Sequence, residues 1–159
     1  MTYTPSFQDI AHLGHVEIFT PKIEESVAFF KNILGLHESG RSGDSVFLRA
    51  WGDYALHTLQ LTASKTSGLG HMAFRTRSSS VLAEMTNGLI RSGVKGQWLE
   101  HEFGHGPAFR FASPDGHGIE LYYDRPREQW FDADGAPILK LEYFDPVELV
   151  STPTPQLGA

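Results

Sequence analysis

The chain has 159 residues, 40% of them apolar and 20% charged, with a net charge of −6 and no cysteine. That length suits one domain, or two small halves of one, with a hydrophobic core of its own. The composition excludes disulfides and thiolate metal ligands, offers no run near the roughly 20 apolar residues of a membrane span, and lacks a basic stripe for nucleic acid or an anionic membrane surface. The first residues, Met1-Thr2-Tyr3-Thr4-Pro5-Ser6, do not follow the basic-then-apolar plan of a signal peptide. A cytoplasmic protein with a small, largely uncharged or aromatic ligand is the expectation.

In chain order, Leu13 to Phe19 reads as an apolar strand. Thr20-Pro21 supplies a helix start, Ile23, Val27, Phe30 and Leu34 fall at helical spacing, and Gly35 stops the helix. Strands follow at Val46 to Arg49 and Leu56 to Leu61, separated by the turn-like Trp51-Gly52-Asp53. A second strand-helix pair begins at Leu69 to Phe74. Ser78-Ser79-Ser80 caps its helix, Leu82, Met85 and Leu89 share one face, and Gly93 ends it. Lys95 to Leu99, Ala108 to Ala112 and Ile119 to Tyr123 read as strands, with Ser113-Pro114-Asp115-Gly116 as a turn. Beyond Asp124 prolines recur; Ile138 to Phe144 alternates like a rim strand, and Ser151 to Ala159 looks like a linker or tail.

The chain repeats itself. Leu13-Gly14-His15 and Leu69-Gly70-His71 match at an offset of 56, as do Thr20 and Thr76. Each half reads β-α-β-β-β, and neither half buries its helix and both sheet faces alone, so the two are expected to close around a shared cup. The fold class is therefore α+β. His15, His71 and Glu120 lie on three apolar, strand-like stretches far apart in sequence. Two histidines and a carboxylate are the ligand types of a facial metal triad, which leaves positions open for substrate and dioxygen. Nitrogen and oxygen ligands suit Fe(II), Mn(II) or Zn(II) alike. Histidines on buried strands also occur as hydrogen-bonded core residues.

These modules, together with Arg49-Ala50-Trp51-Gly52-Asp53 and Pro114-Asp115-Gly116-His117-Gly118-Ile119-Glu120-Leu121-Tyr122, resemble the vicinal oxygen chelate superfamily. Within it the resemblance is closest to the type I extradiol catechol dioxygenases. It covers residues 10–124, as modules 10–65 and 66–124, with 125–159 a Pro-rich extension or linker. The resemblance implies an open cup-shaped sheet and an Fe(II) site, with Mn(II) as an alternative, held by His15, His71 and Glu120. It implies an acid–base role for His57, fourteen residues before His71, and a substrate contact for His101, nineteen before Glu120. Where the family has an active-site Tyr, ten residues before the Glu, this chain has Arg110. Arg110 either binds an anionic substrate group or replaces a Tyr that a non-catalytic domain does not need. The implied partners are a small aromatic diol and O₂, with a homo-oligomer or a second dioxygenase domain as the wider assembly. The alternatives are a non-catalytic N-terminal-type domain or subunit, or a glyoxalase-like or antibiotic-sequestering protein, for which Glu17 is the only nearby extra carboxylate.

Among the other residues, His105 in the Gly-rich loop is a candidate to replace His101, and His117 reads as a turn residue near the centre. Trp51, Trp98, Phe47, Phe109 and Phe111 are read as core before pocket. His12 and His37 are read as surface. No phosphate-binding glycine loop and no nucleophile elbow occurs.

Overall fold

In the computed structural model of the chain, residues 3–53 and 55–123 are described, within the unit Met1–Arg127. The rim strand expected at 138–144 and the extension expected at 125–159 lie outside the described residues. Among those described, no helix is long and apolar enough to cross a membrane.

The first half runs β1 (Ile10–Thr20), α1 (Ile23–Asn32), β2 (His37–Ser42), β3 (Ser45–Arg49) and β4 (Leu59–Ala63). The second runs β5 (Gly68–Thr76), α2 (Ser79–Arg91), β6 (Gly96–Leu99), β7 (Ala108–Ala112) and β8 (Gly118–Tyr122). The eight strands of the described residues form one mixed sheet in the order β2-β3-β4-β1-β5-β8-β7-β6. The order is palindromic: β1 pairs in parallel with β4 as β5 does with β8, and β1 and β5 meet antiparallel at the centre. This is the α+β paired-module plan expected from the repeat.

Strand alternation decides what each sheet face carries. On β3 and β4, Val46, Leu48, Leu59 and Leu61 turn to α1 and form a core with Val27, Ile18, Ile23 and Phe30. The residues between them, Ser45, Phe47, Gln60 and Thr62, turn the other way. So do His15 and Glu17 on β1 and, in register across β5, β8 and β7, Ala73, Glu120 and Arg110. The helix side is thus apolar, and the opposite side carries the imidazoles and carboxylates.

Three details differ from the sequence reading. β2 was not marked, because His37-Glu38-Ser39-Gly40-Arg41-Ser42 lacks apolar alternation; it is held instead by its antiparallel ladder to β3. β4 begins at Leu59, so His57 sits in the preceding loop and not on the strand. Helix α1 is capped at Lys22, without a side-chain bond; Thr20 Oγ1 accepts the Lys22 amide at 3.1 Å and meets Ser26 Oγ at 2.8 Å. Ser78 caps α2 as expected, accepting the Val81 amide at 3.2 Å.

Candidate metal centre

His15 on β1, His71 on β5 and Glu120 on β8 converge on the polar face, with relative exposures of 3%, 1% and 0%. The Nε2 atoms of His15 and His71 are 3.0 Å apart. Glu120 Oε1 lies 3.8 Å from His15 Nε2, and Oε2 lies 3.7 Å from His71 Nε2. Ala73 stands between His15 and Glu120 in the cross-strand register, and its methyl leaves room for them to approach. A fourth group joins from the loop after β6: His105 Nε2 is 3.2 Å from Glu120 Oε1. One ligand atom each of His15, His105 and Glu120 all lie within 4.8 Å of one another.

The outer contacts define which atoms face inward. His71 Nδ1 is 2.8 Å from the Glu17 carboxylate, which only accepts, so Nδ1 carries the hydrogen and Nε2 its lone pair. His105 Nδ1 is likewise 2.9 Å from the Gly106 carbonyl oxygen. His105 thus turns Nε2 towards Glu120 Oε1, which is fully buried. Several lone pairs crowded in a buried space need a proton or a cation among them. The donor set, two or three imidazoles and one carboxylate, fits a divalent first-row metal.

The electrostatics agree with that fit. Burial, reinforced by neighbouring His57, His105 and His71, pushes the His15 pKa down to about 2, so the ring is neutral. Burial alone would raise Glu120, but its contact with His105, ahead of those with His71 and Arg110, brings it down to about 2. Neutral imidazole and ionised carboxylate are the states that bind metal. Burial would also raise Glu17, yet hydrogen bonds from His71 and Thr62 hold it below the ordinary carboxylate value.

His57 reaches the centre from its loop, its ring centroid 4.5 Å from that of His15 and 4.8 Å, edge-on, from Phe47. Neither ring nitrogen has a hydrogen-bond partner. Burial and the neighbouring His105 push its pKa down to about 3. It is a neutral ring with a lone pair to offer.

Arg110 is beside the centre, as expected from its register with Glu120. Its Nε and Nη2 donate to Glu120 Oε2 at 3.0 and 2.5 Å, and Nη2 is 3.8 Å from Glu102. Two donors of its fork are thus engaged by the Glu120 carboxylate.

His101 is not brought to the centre. It is exposed, because the bridge between Glu102 and His105, with Gly104 at φ +83°, reverses the loop and turns His105 inward instead. The same reversal stacks Phe103 on Phe47 at 4.0 Å. His117 is also exposed, holding its turn through Ser113, and takes no part. Of the aromatics, Phe47 and Phe109 are buried, whereas Trp51 is 80% exposed.

Sequence reasoning missed Tyr122, buried with its ring 4.5 Å from that of His105, and the outer place of Glu17. The signal for both was the glycine before each repeated histidine. A Cβ on Gly14 would meet Tyr122 Oη, and one on Gly70 would lie 2.2 Å from Glu17 Oε2. Each glycine makes room for a polar neighbour of its histidine.

Paired βαβββ modules with a buried histidine–carboxylate centre across their junction define a vicinal oxygen chelate domain. The family model described as the glyoxalase/bleomycin resistance protein/dioxygenase superfamily matches residues 12–121, and the chain belongs to that superfamily. Curated relatives include a metapyrocatechase of Geobacillus stearothermophilus, 35% identical over 153 residues, covering 86% of this chain and 46% of that protein. A manganese-dependent 2,3-dihydroxybiphenyl 1,2-dioxygenase of Geobacillus genomosp. 3 is 43% identical over 118 residues, covering 73% and 38%. Among solved structures, homoprotocatechuate 2,3-dioxygenase from Brevibacterium fuscum with 3,4-dihydroxyphenylacetate matches with a TM-score of 0.71 at 25% identity, over 76% of this chain and 39% of that one. The chain thus spans less than half the length of these relatives.

Proposed function

We propose that this domain carries out extradiol cleavage of catechol-type rings with O₂, using a divalent metal held by His15, His71 and Glu120. The observation that carries the reading is the buried, inward-facing donor set, with Glu120 fully buried. Membership of the superfamily and the dioxygenase names of its relatives support the same reaction. Fe(II) is the metal we assign, with Mn(II) as the alternative that one relative's name favours. Such an ion supplies Lewis acidity and a common template for diol and O₂.

The protein's own part follows from its geometry. His57, buried beside His15 with both ring nitrogens unpartnered, is placed to exchange a proton with a catechol hydroxyl. Phe47 and Phe103, stacked beside His57, give an aromatic ring an apolar wall and exclude water. Arg110 donates to Glu120 Oε2 and so fixes the carboxylate that would help to hold the metal. In the overall reaction the ring C–C bond beside the diol breaks and both atoms of O₂ enter the product.

We assign the domain to 10–124, as modules 10–65 and 66–124, with 125–159 as an extension. A second domain or a further copy of the chain is the proposed wider assembly, acting in the cytoplasm on a small aromatic diol. The test is a panel of catechols given to chain loaded anaerobically with Fe(II) or Mn(II), then exposed to air. A yellow ring-opened product, absent with His57→Ala or without metal, is the expected result. No conversion by either metal form contradicts the proposal.

A further inference from the structure

We propose that Glu17 is a positioning residue that locks His71 in its Nδ1–H tautomer and aims the Nε2 lone pair at the centre. The inference rests on the metal-centre reading above for its consequence, but not for its geometry. Glu17 lies two residues beyond His15 on β1, on the same sheet face, and reaches across to β5. Its Oε2 is 2.8 Å from His71 Nδ1. Its other oxygen is held from the opposite side, by Thr62 Oγ1 at 2.6 Å and Gln60 Nε2 at 3.0 Å. Ser45 Oγ in turn lies 2.7 Å from Thr62 Oγ1 and 3.1 Å from Gln60 Nε2. A chain of polar groups therefore crosses the sheet from β3 to β5 and ends on His71.

Two observations separate this arrangement from an ordinary buried ion pair. The carboxylate that meets His71 is committed on both oxygens, so it has one orientation and no freedom to swing into the centre as a ligand. The backbone has also been cleared for it, since any side chain at Gly70 would overlap its carboxylate. A histidine bonded to a carboxylate through one nitrogen has its other nitrogen oriented and made more basic towards a metal; loss of such a partner typically costs about 10–100-fold in affinity. Glu17 is thus neither the extra ligand of a glyoxalase-type site nor a surface charge.

The experiment compares the parent with Glu17→Gln, which keeps the size of the side chain, and with Thr62→Val, which removes a partner of Glu17 without touching His71. Mn(II) alone is titrated, with the free ion read by its electron paramagnetic resonance signal. The His71 tautomer is read in metal-free protein by long-range ¹H–¹⁵N correlation. The expected result is a single Nδ1–H tautomer in the parent and in Thr62→Val, and a tautomer mixture with about 10–100-fold weaker Mn(II) binding in Glu17→Gln. An unchanged tautomer and unchanged Mn(II) affinity in Glu17→Gln would overturn the inference. So would equal losses in both variants, which would mark the cluster as merely structural. Failure of the parent to bind Mn(II) would count against the metal-centre reading, while the tautomer comparison would still decide the role of Glu17.

Discussion

Gly14 and Gly70 have the smallest side chains in the centre and the least room to change. Gly70→Ala places a methyl 2.2 Å from Glu17 Oε2, so the carboxylate must move or the β1–β5 ladder must open. The expected cost is about 1–3 kcal/mol in denaturant melts, with weaker metal binding than the parent. Arg110→Leu removes both donors from Glu120 Oε2 and leaves a charge-assisted contact unmade. About 1.5–3 kcal/mol is the expected loss in the metal-free protein, partly restored on adding Mn(II), because a cation then serves the carboxylate. At this scale the convergence of His15, His71 and Glu120 was legible from the apolar strands that carry them, and the approach of His57 from the family resemblance. His105 was not separable from His101, because which of two loop histidines turns inward depends on the Glu102–His105 bridge and not on spacing from Glu120. Glu17 was noticed as a carboxylate but not as an outer partner, since only the pairing of β1 with β5 brings it to His71.

The elements are held chiefly by the apolar side of the sheet. Leu61 is fully buried against α1, and Leu61→Ala is expected to cost about 2–5 kcal/mol, read from urea midpoints with unchanged slope. Helix α1 is also tied to β2 by charge: Arg41 bonds Glu24 and Glu38, and Lys31 bonds Glu38 at 3.0 Å. Hydrogen bonds from Arg41 and Lys31 bring the Glu38 pKa down to about 2. A carboxyl lowered on folding stabilises above its unfolded pKa, and that contribution is lost as pH falls from about 4.5 towards 2. Thermal melts across that range should show Glu38→Gln losing less stability than the parent, with a smaller difference in high salt. Both helices were legible from their apolar spacing, and Gly35 and Gly93 do lie at positive φ after them. β2 was illegible because its polar sequence is made a strand by its neighbour β3, a tertiary cause that no local pattern records.

Across the described domain, the centre sits where its two modules join. His15 comes from one module, His71 and Glu120 from the other, and the β1–β5 pairing carries both sides. The internal repeat made that junction legible, because a matched Leu-Gly-His in each half places the two histidines at equivalent positions of the central strands. A ligand that bridges the modules stabilises the folded state by mass action, by about 2.7 kcal/mol at a hundredfold excess over Kd. The central claim is that this junction binds a metal through His15, His71 and Glu120. The most direct measurement is iron stoichiometry after anaerobic reconstitution with Fe(II) and desalting, for the parent and Glu120→Ala. One iron per parent chain, and none retained by the variant, is the predicted result. Equal iron in both, or none in the parent, would contradict the account.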